Sequence, residues 1–160
     1  MRLFGIMALV LVLDQAVKSW IVHHFSLYES VVVIPGLFNL TFLTNTGAAF
    51  GMLAGQPSRE RQLFFVGVAL VALAAIVVMH RRLADQSRWF TVALGLIGGG
   101  ALGNLVDRVR YGAVVDFLDF YFRGHHWPAF NVADSAITVG VGLFLVTSFV
   151  VEKNRKKFPG

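Results

Sequence analysis

Residues 63–79 read LFFVGVALVALAAIVVM, an unbroken apolar run without a charged or amide side chain. A helix that crosses a lipid bilayer needs about 17–25 such residues. The basic segment His80-Arg81-Arg82 follows at once, as is typical of the point where a helix leaves the membrane. The run therefore predicts a membrane-spanning helix over residues 63–79.

Three further apolar stretches predict three further spans, at about residues 3–22, 89–106 and 134–151. The first contains Asp14 and Lys18, and no small-residue cleavage site follows it, so we interpret it as a retained helix rather than a cleaved leader. Of the 160 residues, 56% are hydrophobic and 14% are charged, whereas soluble domains average about 25% charged residues. The sequence predicts an all-α membrane protein with four transmembrane helices in a single domain.

The distribution of basic residues predicts the orientation of the helices, because short flanks rich in Lys and Arg stay in the cytoplasm. The flanks on one side hold Arg2, Arg81, Arg82, Arg88, Lys153, Arg155, Lys156 and Lys157. We expect both termini in the cytoplasm, a basic cytoplasmic tail at 152–160, and outer loops at about 23–62 and 107–133. Since the basic tail is explained by topology, the net charge of +5 does not indicate nucleic-acid binding.

The first outer loop carries a strand pattern. Val31–Ile34 and Leu37–Leu43 are β-prone runs, and the turn pair Pro35-Gly36 separates them. Polar and apolar residues alternate along the second run, so one face of that strand is apolar and aromatic. We expect a small extracytoplasmic β-sheet that lies on the membrane surface.

The third predicted helix contains Gly95, Gly99 and Gly103 at four-residue spacing. Small residues at this spacing let helix backbones approach closely in lipid. Because a four-helix unit must bury some of its surface, the pattern favours packing within the bundle over a dimer motif. We expect a monomer.

Polar residues converge at the outer membrane boundary. The end of the third helix, the loop after it and the start of the fourth helix supply Asn104, Asp107, Arg108, Asp116, Asn131 and Asp134. Polar groups at membrane depth are costly and indicate function by default. The predicted site therefore lies at the outer face.

Simpler interpretations of the polar residues remain open. Asp14 and Lys18 are four residues apart on one helix and would neutralise each other inside the bundle. The residues at the end of the third helix could cap it and meet the headgroups, and Asp134 could be a first-turn acid favoured by the helix dipole. His125 and His126 lack a spaced third ligand, so an aromatic interface loop explains them better than a metal site.

The absence of cysteine excludes a catalytic thiol, and the sequence contains no nucleophile elbow, Ser/Lys signature, HExxH motif or phosphate loop. The acid–base groups that remain are mainly aspartates. Two carboxylates in a poorly hydrated site share one proton, so the ionised one can activate water while the protonated one donates to a carbonyl oxygen. This chemistry needs no metal or cofactor.

Two other functions remain possible for the sequence. An ion-coupled transporter would place acidic residues on both sides of the bilayer, and a non-catalytic scaffold would need neither aspartate.

The chain resembles the bacterial lipoprotein signal peptidases, or signal peptidase II, in five sequence blocks that occur in the family's order. The blocks are Asp14-Gln15-x-x-Lys18, Asn45–Phe50, Gly99–Arg108, Val114–Phe117 and Phe130–Ser135. Together they reach from the first predicted helix to the start of the fourth, and the resemblance covers essentially the whole chain.

The resemblance implies an intramembrane aspartic endopeptidase that cleaves the signal peptide of prolipoproteins just before a diacylglyceryl-modified cysteine. It implies a location in the bacterial cytoplasmic (inner) membrane, with the active site at the periplasmic face, and contact with membrane lipids. Asp116 and Asp134 would be the catalytic pair. The substrate-binding or site-supporting residues would be Asn45, Gly47, Asn104, Arg108 and Asn131, and the structural polar residues would be Asp14, Lys18 and Asp107. The resemblance implies no metal and no cofactor.

Overall fold

The structure is a computed structural model that describes residues 2–47, 53, 55–56 and 58–157. Four long helices dominate it: α1 (Arg2–His24), α2 (Arg59–Leu83), α3 (Arg88–Tyr111) and α4 (Val132–Lys157). Each is long and apolar enough to cross a membrane. The prediction of four apolar helices is therefore confirmed.

The helices extend beyond the predicted apolar spans because capping residues set their ends. The hydroxyl of Ser58 accepts the Arg61 backbone N–H at the start of α2, and Ser87 plays the same part before α3. At the other end of α3, Gly112 adopts the left-handed conformation, with φ of 72°, that favours glycine at a helix C-terminus. As a result α3 runs five residues past its predicted end at 106, and Asp107 and Arg108 lie on the helix rather than in the loop.

Four strands form one antiparallel sheet in the order β1-β2-β3-β4. They are β1 (Ser30–Ile34), β2 (Phe38–Asn45), β3 (Val114–Phe122) and β4 (His125–His126). The first two confirm the strand pair predicted in the first outer loop. The sequence pattern did not identify β3 or β4, so the structure adds half of the sheet from the second outer loop.

Helix α3 is the centre of the bundle and contacts the other three helices. Its glycines make this close packing possible, as the spacing predicts. A Cβ added at Gly99 would lie 2.9 Å from the backbone oxygen of Met7, and one added at Gly95 would lie 2.8 Å from Ile6. The outward faces of the helices carry exposed apolar side chains, including Leu63, Val71 and Phe149, which suits surroundings of lipid.

We predict that Gly99→Ala lowers the thermal unfolding temperature of the purified protein, because the new methyl group would press on the backbone of α1, which cannot move aside. Overpacking of this kind costs about 1–3 kcal/mol. The matched control is Gly142→Ala, because a Cβ there meets nothing within 4 Å. Equal unfolding temperatures for the two variants would contradict the proposed close contact between α1 and α3.

Candidate active site

A buried ammonium group lies between α1 and α3. The Nζ atom of Lys18 is 2.9 Å from Asp14 Oδ2, 2.8 Å from Asp107 Oδ2 and 2.9 Å from Asn104 Oδ1. These three acceptors match the three N–H donors of an ammonium. Asp14 and Asp107 are fully buried and Lys18 is 2% exposed, so the group is a charged cluster that water does not reach.

The two carboxylates of this cluster also hold the backbone. Asp14 Oδ1 accepts the backbone N–H of Ala133 at 2.8 Å, and Asp107 Oδ2 accepts that of Val115 at 3.0 Å. Gln15 Nε2 donates to Asp107 Oδ1 at 2.8 Å and to the backbone oxygen of Gly103 at 3.1 Å. Ala133 and Val115 directly precede the two aspartates of the predicted pair, so the charged cluster fixes the backbone beside both.

Asp116 lies on β3, opposite Leu43 of β2, and is only 4% exposed. Its Oδ1 accepts a hydrogen bond from Asn131 Nδ2 at 2.7 Å, and the Asn45 side chain also hydrogen-bonds this carboxyl. Asn131 Nδ2 lies 3.2 Å from the backbone oxygen of Val115 as well. The side chains of Asn131 and Asn45 thus provide polar partners for the buried carboxyl of Asp116.

Asp134 lies in the first turn of α4, where the positive end of the helix dipole favours a carboxylate. Asn131 caps this helix, because its Oδ1 accepts the backbone N–H of Asp134 at 2.9 Å. The side chain of Asp134 accepts a hydrogen bond from Asn104 Nδ2 at 2.8 Å. Asn131 therefore contacts both aspartates: its NH₂ group donates to Asp116, and its oxygen accepts the backbone N–H of Asp134.

Burial, and after it the negative charge of Asp134, raise the pKa of the Asp116 carboxyl from its ordinary value to about 7. The hydrogen bond from Asn131 and the charge of Lys18 act in the opposite direction. Near neutral pH, Asp116 is therefore in a position to carry a proton.

Both carboxylates open into one cavity of about 590 Å³. Its charged and amide lining comes from two aspartates, two asparagines and an arginine, and most of the other lining residues are apolar. The lining residues are Asn45, Asn104, Arg108, Val114, Asp116, Trp127, Pro128, Ala129, Phe130, Asp134, Ser135, Ile137, Thr138 and Val139. The cavity is large enough for several residues of an extended peptide.

Arg108 reaches this cavity from the last turns of α3. Its Nη2 donates to the backbone oxygen of Gly47 at 2.7 Å, and its guanidinium lies 4.3 Å from the ring centre of Phe65. Gln62 of α2 donates to the backbone oxygen of Arg108 at 2.7 Å. The arginine is held between α2 and the end of β2, where its charge attracts both aspartates.

All the residues predicted for the site contribute to this arrangement. Asp107 is buried in the ion cluster rather than placed among headgroups. The Asp14–Lys18 pair forms as the simpler interpretation predicts, but it belongs to a larger network. Gln15 and Gln62 were not predicted as site residues. The block Asp14-Gln15-x-x-Lys18 could have indicated Gln15, whereas Gln62 is a lone amide beside an apolar run and gives no signal of its own.

The two histidines are not arranged as a metal site. His126 Nδ1 lies 2.8 Å from Asp119 Oδ1, its ring stacks on Tyr121, and His125 is exposed. Over the described parts of the chain, no three His, Asp or Glu side chains are grouped as metal ligands. The pair thus belongs to the edge of the sheet.

Four membrane-length helices define an integral membrane protein, and two of its carboxyl groups line one cavity. Comparison with known families identifies it further: the family described as signal peptidase (SPase) II matches residues 6–150. The chain belongs to that family and is a peptidase.

Individual relatives agree with this assignment. The lipoprotein signal peptidase of Geobacter metallireducens is 50% identical over 157 residues, covering 98% of this chain and 96% of that protein. The corresponding protein of Geobacter sulfurreducens is 51% identical over 159 residues, covering 99% and 97%. A bacterial membrane enzyme solved by the in meso method at 2.3 Å resolution has a TM-score of 0.86 and 35% identity, covering 98% of this chain and 92% of that one.

We predict that Asp14→Ala strongly destabilises the protein, because it removes one partner of a buried ion pair and the acceptor of the Ala133 N–H. Breaking such a pair from one side costs about 3–5 kcal/mol. Thermal unfolding of the detergent-solubilised protein measures the loss. The control is Glu152→Ala, since Glu152 also pairs with a lysine four residues away but is exposed. If both variants unfold at the same temperature as the parent protein, the buried cluster does not stabilise the fold.

Proposed function

We propose that Asp116 and Asp134 are the catalytic pair with which this peptidase cleaves prolipoprotein signal peptides, just before the diacylglyceryl-modified cysteine. The observation that carries the proposal is their convergence: both carboxylates line one cavity, and one buried amide, Asn131, contacts both residues. Membership of the signal peptidase II family supports the reaction.

The two carboxylates divide the acid–base work. The ionised group removes a proton from a water molecule, which attacks the scissile carbonyl carbon, while the protonated group donates its proton to the carbonyl oxygen. The raised pKa of Asp116 supports this residue as the proton donor near neutral pH. Asp134 is then the ionised partner, which suits its place at a helix N-terminus.

The remaining polar residues hold the substrate and the pair. Asn45 and Arg108 line the cavity beside the aspartates and offer donors to the carbonyl groups of an extended peptide. Asn104 and Asn131 orient the two carboxylates through the amide hydrogen bonds described above. Asn45 and Arg108 thus position the substrate, and Asn104 and Asn131 set the geometry of the catalytic pair.

The location of the reaction follows from the topology predicted by the basic flanks. With both termini in the cytoplasm, the ends of α3 and the start of α4 meet at the outer face of the inner membrane. The acyl chains of a diacylglyceryl cysteine remain in that leaflet, so the carboxylates lie at the depth of the bond they cut. Lipid surrounds the helices, the sheet lies on the membrane surface, and the protein acts as a monomer.

We predict that Asp116→Asn and Asp134→Asn each abolish cleavage of a lipidated prolipoprotein, because an amide can neither share the proton nor activate water. Cleavage is measured as the mobility shift of the substrate on gels, with equal amounts of folded enzyme. The control is Asp85→Asn, which changes an exposed aspartate between α2 and α3 and keeps parental activity. Normal cleavage by either test variant would disprove the assignment of the pair.

We also predict that kcat/KM decreases as the pH rises above about 7, because Asp116 then loses the proton that it donates. Because the pKa of Asp116 is raised, its carboxyl stays protonated at pH values where an ordinary aspartate is ionised. The pH profile of cleavage in detergent micelles measures this limb. A rate that continues to increase well above neutrality would contradict the role of Asp116 as proton donor.

A further inference from the structure

The Asn104 side chain lies between Lys18 of α1 and Asp134 of α4. Its Oδ1 is 2.9 Å from Lys18 Nζ, and its Nδ2 donates to Asp134 Oδ1 at 2.8 Å. An ammonium group has donors only, so the atom that faces Lys18 must be the oxygen of the amide. The NH₂ group is then directed to Asp134, and the orientation follows from hydrogen-bond chemistry.

Lys18 has little freedom to release this contact. Two of its three N–H donors are held by the carboxylates of Asp14 and Asp107, so the third is the one directed to Asn104. The side chain is 3% exposed, and water does not compete for the ammonium. Asn131 Nδ2, at 3.4 Å from the same Asn104 oxygen, adds a second donor on that side.

We propose that Lys18 is a positioning residue for the cleavage reaction, because it holds the Asn104 amide in the orientation that presents its NH₂ group to Asp134. This inference rests on the proposed catalytic pair and adds a function to a lysine that otherwise only neutralises two aspartates. Without the ammonium, the Asn104 oxygen loses its charged donor and keeps only the 3.4 Å contact with Asn131 Nδ2. The amide that donates to Asp134, the carboxylate that activates water, is then held less rigidly.

The expected effect falls on kcat rather than on KM. Lys18 is buried among Asp14, Asp107 and Asn104, whereas Asn45 and Arg108, which contact the substrate in the proposed mechanism, line the cavity. Substrate binding should therefore be preserved. Lys18→Met should lower kcat by about tenfold to a hundredfold, the effect of losing one hydrogen bond to a charged group. A lysine that served the fold alone would lower the amount of folded enzyme and leave kcat per folded molecule unchanged.

A double-mutant cycle on cleavage of lipidated prolipoprotein tests the inference. Lys18→Met, Asn104→Ala and the double variant are compared by kcat and KM per folded molecule. If Lys18 acts through Asn104, the double variant is no slower than Asn104→Ala beyond about threefold, since coupled residues are not additive. If the two single losses multiply in the double variant, or if Lys18→Met changes KM alone, the inference is wrong.

Two further variants complete the test. Lys156→Met removes a lysine that also pairs with an acid four residues away but is exposed, and it should retain parental kcat.

If Lys18→Met does not fold, the double variant Lys18→Met/Asp14→Asn replaces it, because it removes one positive and one negative charge together. This double variant should show the same loss of kcat and the same coupling. If neither variant folds, the lysine serves the fold and the inference fails.

The outcomes separate this inference from the proposed function. Activity of Asp134→Asn would disprove the catalytic pair. An inactive Asp134→Asn, together with independent effects of Lys18→Met and Asn104→Ala, would leave the pair intact and disprove only the role of Lys18.

Discussion

The ion cluster of Lys18, Asp14 and Asp107 is the interaction on which the rest of the site depends. Charges removed from water are costly, and their attraction compensates for that cost only if the remaining lone pairs are also satisfied. Here the remaining lone pairs of Asp107 and Asp14 accept the backbone N–H groups of Val115 and Ala133. The hydrogen bonds that satisfy the buried charges therefore fix the backbone directly before Asp116 on β3 and directly before Asp134 on α4.

The same constraint accounts for the close packing around the cluster. A Cβ at position 103 would lie 2.5 Å from Asp14 Oδ2, so glycine is needed where α1 and α3 meet at the depth of the charge. Gln15 Nε2, close to Asp14 and Asp107, supplies the donor that a single lysine cannot. The proposed catalytic carboxyl groups, Asp116 and Asp134, thus follow backbone that a buried framework holds in place. A site preorganised in this way stabilises developing charge without reorganisation at the moment of reaction.

The four helices and the glycine contacts were predictable from the sequence because both depend on local patterns, namely the length of apolar runs and a four-residue spacing. Strand β3 was not predicted, because Asp116 and Asp119 interrupt its apolar run and its partner β2 lies about 70 to 80 residues earlier in the chain. The site residues were predicted from the depth of the polar groups and from a family resemblance. Their individual hydrogen bonds, such as that of Asn104 with Lys18, depend on side-chain geometry that spacing does not specify.

Titration of the Asp116 carboxyl tests the account most directly, by carbon-13 NMR of protein labelled at its aspartate carboxyls and assigned with Asp116→Asn. We predict that Asp116 titrates near pH 7 and that Asp134→Asn lowers its pKa, because that variant removes the neighbouring negative charge. An Asp116 that stays ionised through neutral pH, or whose pKa does not respond to Asp134→Asn, would contradict a shared proton between the two carboxylates.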